Sequence, residues 1–177
     1  MRLAGLIAFS SVTLLALGCS VSTTDNSITF KTQTRFLNDP DVTKESTKAW
    51  DGEAITIVQD GASIIQNGGL QIVGSPTATK VSVTARVIAY ADKEDKASAD
   101  KSIADVVASV KIVEEAGKIT VQCKNGGSYG TSSAGKSGCE SLTVTVPSGS
   151  EQKPHNLTAG CGNGTINVSG IVGAALI

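Results

Sequence analysis

From Val81 to Ala89 every second residue is apolar, with Val81, Val83, Ala85, Val87 and Ala89 alternating with Ser82, Thr84, Arg86 and Ile88. A period of two places one set on a single face of an extended chain, so this segment reads as a half-buried strand that needs a second layer to cover it. Shorter pieces repeat the pattern. Ala54–Val58 lies between Asp51-Gly52 and Asp60-Gly61, and Leu70, Ile72 and Gly74 alternate until Pro76. Val110–Val113 and Lys118–Gln122 flank a turn at Glu115-Ala116-Gly117. Leu142, Val144 and Val146 run up to Pro147-Ser148-Gly149, followed by Leu157 and Ala159, then Ile166 and Val168, then the apolar run Ile171–Ile177. The 19 glycines supply the turns between them.

At the N-terminal side, Ile28, Phe30, Thr34 and Phe36 suggest a first strand, Asn38-Asp39-Pro40-Asp41 is a turn, and Val42–Ala49 is polar. Only Asp92–Val110 changes period. Ala99, Ile103, Val106, Val107 and Val110 recur at helical spacing, with Asp92 as a candidate cap and Glu94 and Asp95 near the positive end of the helix dipole. The narrow apolar stripe predicts a helix lying on one face of a sheet.

Composition removes several function classes. A formal net charge of −1 leaves no electrostatic footprint for nucleic acid. Aromatics at 3% give no stacking platform for bases or sugars. One histidine excludes any mechanism that requires two.

The N-terminus carries an address. Arg2 is a minimal basic region, and Leu3–Leu17 is an apolar run suited to a signal peptide and short for a membrane span. It ends in Ala16-Leu17-Gly18-Cys19, which resembles the bacterial lipobox, with Ala16 where leucine is usual. The resemblance implies cleavage before Cys19 and acylation of Cys19, and several acyl chains on one residue give stable anchoring. Ser20, in place of an aspartate, implies passage to the outer membrane. Residues 1–18 then form the signal peptide, 19–27 a Ser/Thr-rich tether, and 28–177 a single β-rich domain.

The order of elements carries a further resemblance. A charged helix is followed by Gly117-Lys118-Ile119-Thr120-Val121, then Leu142 to Gly149, then Gly162 to Gly170. This is similar to a bacterial adhesin-type family of β-strand repeats, a domain of unknown function common in exported lipoproteins. The likeness covers roughly residues 50–177, with Val81–Gln122 matching the family's entry segment and the repeat part at about 110–177. It implies an irregular β-solenoid or sandwich in which Gly-bounded strands hide their apolar sides by stacking. The bare apolar end at Ile171–Ile177 is an edge-pairing hazard and a candidate for self-association.

Four cysteines are present. With Cys19 spent on lipid, an oxidising compartment favours a Cys123–Cys139 disulfide around the Gly/Ser-rich loop 124–138, with Cys139–Cys161 as the other pairing. His155 with Cys123, Cys139 and Cys161 makes a formal zinc set, but no C-x-x-C spacing supports it. Gly130–Ser137 fits the phosphate-loop pattern G-x-x-x-x-G-K-S, with Lys136 and Ser137 in the functional places, yet a strand rather than a helix is predicted after it. Acidic residues at Asp92–Asp105 and at Glu114-Glu115 read as a solvated face and a turn.

The expectation is a mainly β protein with one amphipathic helix at about 92–110. It is expected to be a non-catalytic, lipid-anchored envelope or surface protein of structural or adhesin-like type, without catalytic residues, cofactor, metal or nucleic-acid partner. An envelope protein or polymer is the expected kind of partner. The alternative is an envelope hydrolase using paired carboxylates, which requires two acids converging in a cleft.

Overall fold

The computed structural model describes residues 19–24, 27–32, 34–59, 69–92, 94–124, 136–160 and 165–177. The chain is mainly β, with one helix among these residues. β1 (Cys19–Thr24) and β2 (Ser27–Thr32) form their own antiparallel pair. Ser20–Asn26 was expected to be a tether. Its residues up to Thr24 are instead extended and hydrogen-bonded to β2, because alternating Ser, Thr and Val suit a strand once a partner lies alongside.

The body holds two mixed sheets. The first contains β3 (Thr34–Leu37), β4 (Val42–Glu45), β6 (Leu70–Ser75), β7 (Ser82–Ala91), β10 (Lys136–Pro147) and β12 (Ile166–Ser169), in the order β12-β6-β10-β7-β3 with β4 also on β7. The second contains β5 (Ala54–Gln59), β8 (Lys111–Glu115), β9 (Lys118–Cys123), β11 (His155–Gly160) and β13 (Gly173–Leu176), in the order β13-β11-β5-β9-β8. β12, β6 and β10 run parallel, as do β13, β11, β5 and β9.

Three times the chain passes from the second sheet to the first: β5 to β6, β9 to β10, and β11 to β12. Register makes these passages into rungs. Leu70 lies between Leu142 and Ile166, and Ile72 between Val144 and Val168. Across the core, Ile55 lies between Ile119 and Leu157, and Ile57 between Val121 and Ala159. These are the alternating residues of the sequence, and all but Ile166 and Val168 are buried in one cluster. Each such side chain contributes about 1.5–3 kcal/mol by leaving water.

Stacking of successive turns is realised out of order. The third passage lies on the first, not on the second. The reason is occupancy of edges: β7 takes the outer edge of β10, and β8 takes the outer edge of β9, both antiparallel. Among the described residues, the flank left free lies beside β5 and β6. The 148–154 segment therefore crosses the end of the first passage, with the Ser148 amide donating to Ser75 O at 3.1 Å.

α1 (Lys96–Ser109) buries Ala99, Ser102, Ile103 and Val106 and packs on β7 and β10, as its stripe predicted. It starts later than expected. Asp95, not Asp92, is the cap residue, and its side chain makes no capping bond. β10 reaches back to Lys136 through residues expected to be loop, because β7 is long enough to pair with them: Ser137 faces Ala89 and Cys139 faces Val87. The predicted first strand is divided between β2 and β3. Asn38–Asp41 is the turn between β3 and β4, with a cis bond before Pro40 and Asn38 Nδ2 donating to Pro40 O at 2.7 Å.

Candidate functional site

A groove of about 540 Å³ lies between α1 and the β3–β4 turn. Ile103, Ala104, Val107, Ala108 and Val110 give it an apolar side, and Asp39, Lys44 and Asp100 stand among its remaining lining residues. The helix puts its residues there because Ile103 lies in the stripe that docks on the sheet and Val107 stands beside it, half-buried. Two of its polar members are engaged in local bonds. Asn38 is bonded to Pro40, and Asp100 accepts from Lys96 Nζ one helical turn away at 2.5 and 2.7 Å. No serine, threonine, cysteine or histidine lines it. Chemically it is a place for an apolar body with a charged rim.

Of the acidic residues expected as a solvated face, Glu94, Asp100 and Asp105 are exposed, whereas Asp92 and Asp95 are half-buried. Glu114 has a structural task that spacing could not reveal. It accepts from the Thr47 amide at 2.6 Å, the Thr47 hydroxyl at 2.9 Å and the Lys48 amide at 3.2 Å, which ties β8 to the segment after β4. Those bonds, the Thr47 amide foremost, hold its carboxyl below the usual value. Asp51 is lowered too, by its bond to Lys153. Both shifts favour the charged form, the reverse of what a general acid requires.

Cys123 and Cys139 are brought together as a disulfide with a Cα–Cα distance of 6.4 Å. It joins the end of β9 in the second sheet to the irregular part of β10 in the first, so it fastens the two layers. Cys161 lies outside the described residues, as do 130–135 of the phosphate-loop pattern. Lys136 and Ser137 stand on a strand, not at a helix start. Ser137 is fully buried and its hydroxyl is bonded to that of Ser102 on α1. Among the described residues no three of His, Cys, Asp or Glu gather to hold a metal ion. Cys19 is the first residue of β1, opposite Thr32.

His155 anchors a corner. Its ring is buried and stacks on Trp50, with centroids 4.3 Å apart and planes 19° from parallel. Nε2 donates to Pro147 O, and Nδ1 is buried without a protein partner among the described residues. The Trp50 indole donates to Glu53 O at 2.8 Å. The same corner holds the amide of His155 on Val172 O and that of Val172 on Ser148 O, each at 2.8 Å. The sequence offered no signal for this stack, whose members lie more than a hundred residues apart.

Comparison with protein-family models, with curated proteins and with solved structures finds no match.

Proposed function

We propose that this chain is a non-catalytic, lipid-anchored protein of the bacterial cell envelope, with a rigid β body of structural or adhesin-like type. The observation that carries the reading is the N-terminal pattern: an apolar run from Leu3 to Leu17 closing on Ala16-Leu17-Gly18-Cys19. The body fits such a task. Its inward positions are committed to the core, and a disulfide between the two sheets suits an oxidising compartment. The groove beside α1 offers an apolar side for contact, with no serine, threonine, cysteine or histidine in its lining. The adhesin-type family and the outer membrane as destination belong to the same proposal.

The test is expression of the full chain in a double-membraned bacterium fed a labelled fatty acid. The expected result is label on a shortened chain in the outer-membrane fraction, with an acylated N-terminal cysteine by mass spectrometry. Cys19→Ser should lose label and membrane retention together. An intact, unlabelled leader on protein recovered from the cytosol would overturn the proposal.

A further inference from the structure

The two ends of the sheet stack are built differently. At one end, the outermost strands carry several of the guards against edge pairing. β8 has Lys111, Glu114 and Glu115, while β3, β4 and the turn between them carry Arg35, Pro40, Lys44 and Glu45, and α1 packs alongside. At the other end, the outermost strands are β12 and β13, and from Thr165 to Ile177 there is no charged residue and no proline. Among the described residues, one edge of each strand has no partner strand. Ile166 and Val168 are the last members of the rungs that begin at Leu142 and Val144, and they are only partly covered. Ala175 continues the rung of Ile55 and Leu157 and is exposed, while Leu176 and Ile177 are 70% and 66% exposed.

We infer that this end binds a second copy of the same chain, end to end, through β12 and β13. Whatever covers it must extend two sheets about 10 Å apart at once. It must also offer apolar side chains between them and bring no charge, since none waits to meet it. A single extended peptide satisfies one sheet only. The last turn of this chain satisfies both. A two-fold axis perpendicular to the sheets sets β12 antiparallel to its copy and β13 antiparallel to its copy, an isologous contact that closes as a dimer. Parity limits the register to axes that pass through a residue, because core-facing residues must meet core-facing residues. The register that sets Ile166 against the partner's Val168 puts the axis through Asn167 in β12, and Ala175 is its counterpart in β13. Counted outwards from the corner at Gly170–Val172, Asn167 and Ala175 are equally distant, so one axis serves both strands. The inference is independent of whether Cys19 is acylated.

Sedimentation velocity on the full chain over a concentration series reads the dimer directly. The wild type is expected to dimerise as concentration rises. Ala175→Lys and Ala175→Glu each place like charges against themselves across the axis and should remain monomeric. An equimolar mixture of the two should restore a one-to-one dimer. Ala175 is exposed, so at concentrations where the wild type is itself monomeric the melting temperatures of both variants should match it, and this separates loss of contact from loss of fold. A wild type that is monomeric throughout overturns the inference and leaves the end to a strand from another protein. Variants that dimerise as the wild type does, or a mixture that stays monomeric, overturn it equally.

Discussion

Replacing Gly74 by alanine isolates the close approach on which the corner depends. Gly74 is in β6, on the core-facing side, and its backbone is not in a left-handed conformation. A methyl group there would sit 1.9 Å from Gly170 O and 2.4 Å from its carbonyl carbon, where ordinary contact begins at 3.4 Å. One strand must therefore move by about 1.5 Å. That movement disturbs the bonds made beside it, from the Val172 amide to Ser148 O and from the Ser148 amide to Ser75 O. Two or three lost bonds, some leaving buried groups unpaired, amount to about 3–5 kcal/mol, a large share of the roughly 5–15 kcal/mol that holds a domain together. Gly117→Ala is the control. Its φ is +74° and nothing lies within 4 Å of the added methyl, so it bears only the left-handed penalty of about 1–2 kcal/mol. Gly170, with φ +70° and Gly74 O 2.6 Å from its would-be methyl, bears both costs. Urea unfolding measures all three, and the expected order of loss is Gly170→Ala, Gly74→Ala, Gly117→Ala. The slope with denaturant should stay constant. A Gly74→Ala chain that unfolds at the wild-type urea concentration would refute the reasoning.

Three further outcomes follow from single contacts. In a Cys161→Ser background, Cys123→Ser should lower stability by about 3 kcal/mol, as loop-closure entropy gives for a span near 15 residues, and reductant should produce the same shift in the urea midpoint without the substitution. Ser137→Ala strands the buried Ser102 hydroxyl and should cost about 1–3 kcal/mol, whereas the double variant Ser102→Ala, Ser137→Ala should come close to the wild type in thermal melts, because both partners leave together. Glu114 has a folded-state value below its ordinary 4.5, so its support is present above that pH and is lost as pH falls through the folded value. Glu114→Gln should therefore lower the melting temperature at neutral pH and flatten its fall on the acid side, which a pH series of melts would show.

Much of the architecture was legible because its physics is local. The strand at Val81–Ala89 and the pieces at Ala54, Leu70, Lys118, Leu142 and Ile166 follow from side-chain alternation, and the turn at Gly117 from a left-handed position that favours glycine. Ala99, Ile103 and Val106 revealed the face of α1. Residues whose role depends on a distant partner were not legible. Ser137 and Gly138 read as loop by composition and become strand because β7 extends far enough to pair with them. Asp92 was the candidate cap, yet the helix begins after Asp95. The order of the rungs depended on which edges β7 and β8 leave free, and no pattern within β11 or β12 records that. The pairing of Trp50 with His155 and the bonds of Glu114 to Thr47 were hidden for the same reason.

These facts together narrow where recognition takes place on this body. In β6, β9, β10 and β11 the core-facing positions are buried, and the inner face of α1 is spent on β7 and β10. A change at those positions alters stability before it alters any contact with a partner. The His155 corner is likewise consumed, since its ring lies between Trp50 and Pro147 O. Among the described residues two surfaces remain unspent: the apolar side of the groove beside α1, and the uncharged edge formed by β12 and β13. The groove is flanked by Asp39, Lys44 and the paired Asp100, so charge on an approaching partner alters the fit there. The edge has no such filter. It selects by backbone bonding and by the spacing of two sheets, and the surface best matched to those demands is its own copy.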